Sequence, residues 1–96
     1  MHAAAVRLEL RIKDAHSLKA KRSVLKKVSG MLSSTFPVAV SEVDHQDLWQ
    51  RATLGVAMVA PQAGHLERLI HGVQRAMLTH DEVELIEMGV SYLEER

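Results

Sequence analysis

The sequence predicts a single α+β domain in which four strands and two helices follow the order βαββαβ. Three observations support this prediction. Apolar residues recur at every second position in four segments, as in strands with one buried face. Two longer segments repeat apolar residues every three or four positions, as amphipathic helices do. The chain has 96 residues, 47% of them hydrophobic and none of them cysteine, so we expect one modest core without disulfides.

The first half of the chain provides a strand, a helix and a second strand. Apolar and charged residues alternate across residues 6–12, which is typical of a half-buried strand. Ser17 is a suitable N-cap for a helix over residues 18–34, whose apolar residues share one side. Residues 37–43 form the second predicted strand, because their only proline stands at the start, where a strand tolerates it.

The second half repeats this pattern after a long polar connection. Residues 52–60 alternate as a third strand, and Pro61 ends it. A second amphipathic helix is predicted from residue 66 to about residue 80. The last strand is predicted to start at residues 81–82 and to place four apolar residues on one side, namely Ile86, Met88, Val90 and Tyr92.

This order of elements predicts the topology. Two right-handed βαβ halves joined by a hairpin give a four-stranded antiparallel sheet with both helices on one face. The arrangement is the ferredoxin-like plait, with strand order 4-1-3-2, and it occupies residues 1–96 as one domain. Charged residues follow the N-terminus too soon for a signal peptide or a membrane span. We therefore expect a cytoplasmic protein that makes no membrane contact.

The first predicted helix is rich in cations. Lys19, Lys21, Arg22, Lys26 and Lys27 lie within nine residues. Lys19, Arg22 and Lys26 share one side, and no acidic residue three or four positions away neutralises them. This row favours binding of RNA or another phosphate-bearing partner, and a solvated helix face is the alternative. Lys21 projects instead toward the apolar side, from which it could extend to the following loop or to a ligand.

The connection between the second and third strands contains more functional groups than a hairpin needs. Trp49, the only tryptophan of the chain, is expected to fold over the edge of the core and to be partly buried. Arg51 is a candidate to bind RNA together with the cations of the first helix. The polar connection, whose role the sequence does not define, comprises Glu42, Asp44, His45, Gln46, Asp47 and Trp49.

Asp44, His45 and Asp47 are the candidates for catalysis or metal binding in this connection. A histidine beside carboxylates can form an acid–base pair or bind a metal ion. Their spacing matches no His/Asp signature, however. The sequence therefore predicts no catalytic residue, no metal site and no cofactor, and a small hydrolase or metal-dependent enzyme is the minor alternative to a binding protein.

The outer face of the predicted sheet has no aromatic residue, which argues against stacking of bases on it. Its part on the second and third strands is small and nearly neutral, so a flat surface of a partner or of a second copy could approach closely. A protein-interaction or self-assembly module is therefore the alternative function. The predicted outer residues are Arg7, Glu9, Arg11, Ala39, Ser41, Thr53, Gly55, Ala57 and Val59.

Two segments resemble a known family. Residues 14–26 read Asp-Ala-His-Ser-Leu-Lys-Ala-Lys-Arg-Ser-Val-Leu-Lys, and residues 40–52 read Val-Ser-Glu-Val-Asp-His-Gln-Asp-Leu-Trp-Gln-Arg-Ala. Both resemble the YlxP-like family of small bacterial proteins of unknown function. The resemblance spans nearly the whole chain and implies the same plait. Members are often encoded between translation-initiation and ribosome-maturation genes, so the resemblance implies a role around RNA or the ribosome, but no established activity and no catalytic residues. Together with the unpaired cationic row, it leads us to expect a non-enzymatic accessory protein that binds RNA or ribosomal particles.

Overall fold

The structure, a computed structural model, describes residues 1–94. The order of its elements confirms the predicted βαββαβ arrangement. The elements are β1 (His2–Ile12), α1 (Leu18–Thr35), β2 (Ala39–Asp44), β3 (Arg51–Ala60), α2 (Ala63–Leu78) and β4 (Val83–Glu94).

The four strands form one sheet in the order β2-β3-β1-β4, and every neighbouring pair is antiparallel. Read from the other edge, this is the predicted order 4-1-3-2 of a ferredoxin-like plait. β1 and β3 are the central strands, paired from His2 opposite Ala60 to Arg11 opposite Arg51. Alternate residues of β1 and the inner sides of both helices belong to one buried cluster. Both helices therefore cover the same face of the sheet.

The predicted boundaries differ slightly from those of the structure, for local reasons. Ser17 caps α1 as predicted, since its hydroxyl accepts a hydrogen bond from the backbone N–H of Ala20 at 3.0 Å. β1 begins earlier than predicted, because the alanines of residues 3–5 give no alternation of apolar and polar side chains to detect. β2 begins later, because the N–H of Val38 bonds to the carbonyl of Phe36 rather than to β3.

A bulge interrupts β4. Its register against β1 shifts between Glu9 and Leu10, which leaves Ile86 as the extra residue. Met88 and Val90 pack against the core, whereas Ile86 is 48% exposed. The prediction that these three residues share the core side was wrong for Ile86, because strict alternation fails where a strand contains an inserted residue.

The core is built almost entirely from aliphatic side chains and methionine. Leu8 and Leu10 of β1 are fully buried, and α1 and α2 contribute apolar residues at three- and four-residue spacing. Phe36 packs across the layer against Gly72, where a Cβ would lie 2.7 Å from the ring. Among residues 1–94, this packing leaves exposed the outer sides of the helices, the outer face of the sheet and the β2–β3 connection.

Candidate functional site

Lys21 lies on the inner side of α1, and only 1% of the residue is exposed. Its Nζ lies 3.0 Å from Oε2 of Glu42 and donates a hydrogen bond to the backbone carbonyl of His45. The Glu42 oxygen is itself buried. Lys21 therefore ties the start of α1 to the end of β2 and to the residue that follows it.

This burial corrects the prediction that Lys21 belongs to an RNA-binding surface. An ammonium group that is enclosed by its own chain presents no surface to a phosphate. The structure contains the other predicted path, past the apolar side of the helix to a loop, and that loop is the β2–β3 connection. Removing one member of a buried charge pair is costly because the other charge stays behind without compensation.

His45 organises the first half of the β2–β3 connection. Its φ of 61° lies in the left-handed region, which non-glycine residues adopt rarely and at a cost. Its N–H donates to Oδ1 of Asp44 at 2.8 Å, and its carbonyl accepts hydrogen bonds from Lys21 and from the N–H of Leu48. These bonds hold the turn in a single conformation.

Glu9 and Thr53 connect the same turn to the outer face of the sheet. The Thr53 hydroxyl donates to Oε2 of Glu9 at 2.8 Å, and Arg7 pairs with the other carboxylate oxygen at 3.0 Å. Nε2 of His45 lies 3.9 Å from Glu9. The hydrogen bond from Thr53 is the main cause that lowers the pKa of Glu9, aided by Arg7 and His45. Thr53 lies opposite Glu9 on the outer side of the sheet, as predicted, but it is fully buried there rather than open to a partner.

The carboxylate that His45 approaches is thus Glu9 on β1. Sequence reasoning considered only Asp44 and Asp47 as acidic partners of His45, because they are its neighbours in the chain. Glu9 lies 44 residues before Thr53 in the chain, and only the pairing of β1 with β3 brings the two together. No local signal in the sequence could identify this contact.

The second half of the connection is exposed from Gln46 to Arg51. Trp49 is 53% exposed and lies outside the buried core, and Leu48 is 47% exposed. The prediction that Trp49 folds over the core edge was therefore wrong. Gln50 holds the end of this segment, because its carbonyl accepts from the N–H of Ile12 at 2.9 Å and its side chain donates to the carbonyl of Ala15 at 3.4 Å.

The cationic row of α1 is on the surface. Lys19, Arg22 and Lys26 are exposed, and none of the three forms an ion pair within residues 1–94. Lys27 differs, because its Nζ lies 3.3 Å from a carboxylate oxygen of Glu82. The three remaining cations therefore lie together without a neutralising side chain.

A second row on α2 escaped the sequence prediction. Arg68, His71 and Arg75 are exposed and stand three and four residues apart, the same spacing as in the row of α1. The two helices together contain seven Lys/Arg and one Asp/Glu, a formal charge of +6, while the rest of the chain contains five and eleven, a charge of −6. We call the two helices the basic layer.

Along the strands, the outer face of the sheet changes from apolar residues at one end to charged residues at the other. At one end, Ala3 of β1 lies between Leu93 of β4 and Val59 of β3, and the last two are each 61% exposed. Ser91, Ala5, Ala57 and Ala39 form the next row across all four strands. The charged residues lie toward the other end, beyond Arg7. The surface of small, nearly neutral side chains that was predicted on β2 and β3 therefore continues onto β1 and β4.

The comparisons with known proteins identify a family whose function is unknown. A family model described as "Protein of unknown function (DUF503)" matches residues 3–90. The chain belongs to the DUF503 family. It is also similar to "Uncharacterized protein YlxP" of Bacillus subtilis (strain 168), with 37% identity over 73 residues that cover 76% of this chain and 79% of that protein. The predicted membership of a YlxP-like family is confirmed.

Two features of this DUF503 chain bear on the chemistry available to it. In the described part of the chain, residues 1–94, no three His, Asp or Glu side chains lie together in a way that could hold a metal ion. Over the same residues, no helix has the length and apolar character needed to cross a membrane.

Proposed function

We propose that the protein binds the RNA of ribosomal particles through the basic layer and catalyses no reaction. The observation that supports this proposal most strongly is the set of exposed helix cations that form no ion pair within residues 1–94, namely Lys19, Arg22, Lys26, Arg68 and Arg75. A polyanion is attracted to a surface of concentrated positive charge because binding releases condensed counterions. A protein whose overall charge is zero can bind in this way only if its positive charge is gathered on one side.

The row on α1 has a spacing that suits a nucleic-acid backbone. With a rise of 1.5 Å per residue, Arg22 and Lys26 lie about 4.5 and 10.5 Å beyond Lys19 along the helix axis. Ser29 and Ser33 continue the row toward the end of the helix and can donate hydrogen bonds to phosphate. Contacts of this kind fix position and orientation and read little sequence. We therefore propose recognition of RNA shape and charge rather than of a sequence motif.

The test compares two triple variants that remove equal charge, one from the outer side of α1 and the other from β1 and the residue that follows it. We expect Lys19→Ala/Arg22→Ala/Lys26→Ala to lower affinity for ribosomal RNA at low salt by at least about tenfold, because each phosphate contact contributes to binding. The matched control is Arg7→Ala/Arg11→Ala/Lys13→Ala, which we expect to bind nearly as well as wild type. Fluorescence anisotropy with labelled RNA and co-sedimentation with ribosomal particles measure both. Equal losses in the two variants, or a wild type that does not bind, would contradict the proposal.

A second candidate function is self-association through the outer face of the sheet, with a second copy of this chain as the partner. Val59 and Leu93 expose apolar surface at one end of a face whose neighbouring row is small. A two-fold axis along the strands would place the apolar ends of two copies together, as an isologous contact requires. We expect Ala57→Glu to shift the mass measured by light scattering toward the monomer, and Ser33→Glu on α1 to leave it unchanged. A wild type that stays monomeric at micromolar concentration would contradict this candidate.

A further inference from the structure

We propose that Leu48 and Trp49 form a docking site for an unpaired RNA base, an inference that rests on the proposed function. We call these two residues the Trp49 tip. They are 47% and 53% exposed, they are adjacent in sequence, and neither belongs to the buried core. An indole that covers no core offers its apolar face to solvent and thus to a ligand with a flat aromatic surface.

The backbone on both sides of the tip is fixed. On one side the N–H of Leu48 donates a hydrogen bond to the carbonyl of His45 at 3.1 Å. The same carbonyl also accepts a hydrogen bond from the buried ammonium group of Lys21. On the other side the carbonyl of Gln50 accepts from the N–H of Ile12 at 2.9 Å. A platform whose main chain is already ordered loses little conformational freedom on binding. The exposure of Trp49 therefore belongs to a segment that is anchored at both ends.

The Trp49 tip lies at the same end of the molecule as the start of the cationic row. Gln50 donates to the carbonyl of Ala15, two residues before the N-cap of α1, and His45 accepts from Lys21 in the first turn of that helix. Lys19 belongs to this turn. The tip therefore lies beside the N-terminal end of α1, and on this inference an RNA strand whose phosphates follow the α1 row passes the tip beyond Lys19.

The charges around the tip favour a base there and phosphates elsewhere. Arg51 follows the tip, while Asp47 precedes it, so this segment itself does not concentrate positive charge. Phosphates are drawn to the α1 row instead. A nucleotide has both an anionic backbone and an aromatic face, so it matches this pair of surfaces. A base inside a duplex is already stacked on its neighbours, so the structure points to a loop, bulge or single-stranded end of the RNA.

The test uses two RNA probes of equal phosphate number: a hairpin with a seven-nucleotide loop and a blunt duplex. We expect the fluorescence of Trp49 in the wild-type protein to be quenched by the hairpin and to change little with the duplex. Trp49→Ala should lower affinity for the hairpin by about tenfold, near the usual contribution of one stacked base, and leave affinity for the duplex unchanged. Trp49→Phe should recover part of the loss, since it restores an aromatic face.

The outcomes separate this inference from the function on which it rests. If wild type binds both probes and Trp49→Ala binds both equally well, the Trp49 tip is not a base site, while RNA binding through the basic layer stands. If wild type binds neither probe, the proposed function fails and the inference fails with it. Quenching by the hairpin requires only the wild-type protein, so a loss of folding in the variant would not affect that result.

Discussion

Lys19 and Lys21 stand two residues apart in α1, yet the structure gives their ammonium groups different surroundings. Lys19 is exposed and forms no ion pair within residues 1–94. Lys21 is 1% exposed; its ammonium group forms an ion pair with Glu42 and donates a hydrogen bond to the His45 carbonyl. Helical geometry separates them, because two residues correspond to about 200° around the axis. The outer side of α1 therefore holds cations that are available to a partner, and the inner side uses one to hold the fold together.

This difference shows how to interpret a cation-rich helix. The number of lysines overstates the surface charge whenever one of them falls on the apolar side. Leu25 and Val28 stand four and seven residues after Lys21 and are buried, so the helical period already groups Lys21 with the core. A buried ammonium needs an acceptor and a carboxylate, and the β2–β3 connection provides both. The polar connection is thus partly explained as the counterpart of Lys21.

The largest expected effect in this comparison is on stability. Lys21→Ala should lower the free energy of unfolding by about 3 kcal/mol, because Glu42 would keep a poorly solvated charge and the His45 carbonyl would lose a donor. Lys19→Ala should change it by less than about 0.5 kcal/mol, as is usual at exposed sites. Urea denaturation of the two variants measures both values. If the two variants were equally stable, the buried contacts of Lys21 would contribute nothing to the free energy of unfolding.

The sequence was sufficient to predict the fold and the exposed cationic row of α1. The change of period from two to about four marked each element in order, and Ser17 marked the start of α1. The cross-strand features could not be predicted in this way. The bulge at Ile86, the burial of Thr53 and the approach of His45 to Glu9 all depend on the register between strands that are distant in sequence. Local periodicity contains no information on register.

The exposure of Trp49 was missed for a different reason. Tryptophan beside a core usually covers apolar surface, and that general tendency determined the prediction. The hydrogen bonds of Gln50 to Ala15 and to Ile12 set the path of the backbone here, and the sequence gives no sign of them. The α2 row, by contrast, was present in the sequence as the spacing of Arg68, His71 and Arg75.

A smaller effect, which depends on pH, is expected at Glu9. Because its pKa in the folded protein is lowered, Glu9 adds stability above the ordinary glutamate pKa of about 4.3, and this stability is lost as pH falls through the folded value. Thr53→Val removes the main cause of the shift and should cost about 1 kcal/mol at pH 7, the usual net value of one hydrogen bond.

The stability difference between wild type and Thr53→Val should therefore be greatest near neutral pH and should narrow as the pH falls below about 4. Urea unfolding at a series of pH values measures it. A difference that stays constant from pH 7 to pH 3 would show that the hydroxyl acts only through packing. Arg7→Ala is the matched comparison, because it removes the hydrogen bond and the charge through which Arg7 lowers the same pKa. Its stability difference from wild type should narrow over the same pH range.

The smallest stability effect concerns the Trp49 tip. Trp49→Ala should cost about 1 kcal/mol or less, since more than half of the residue is exposed, compared with about 3–5 kcal/mol for removing a core aromatic side chain. Thermal or urea unfolding measures the change. A loss of stability of about 3–5 kcal/mol would show that Trp49 has a structural role and would weaken the case for a base-binding site at the tip.

The most direct test of the central claim is the salt dependence of RNA binding by wild type and by the two triple variants. If the outer side of α1 contacts phosphates, the plot of log affinity against log salt concentration should be steep for wild type. The magnitude of this slope should be smaller by about 2–3 for Lys19→Ala/Arg22→Ala/Lys26→Ala, because each phosphate contact contributes about 0.7–0.9 to it. The slope for Arg7→Ala/Arg11→Ala/Lys13→Ala should match that of wild type. Identical slopes for all three proteins would contradict the account.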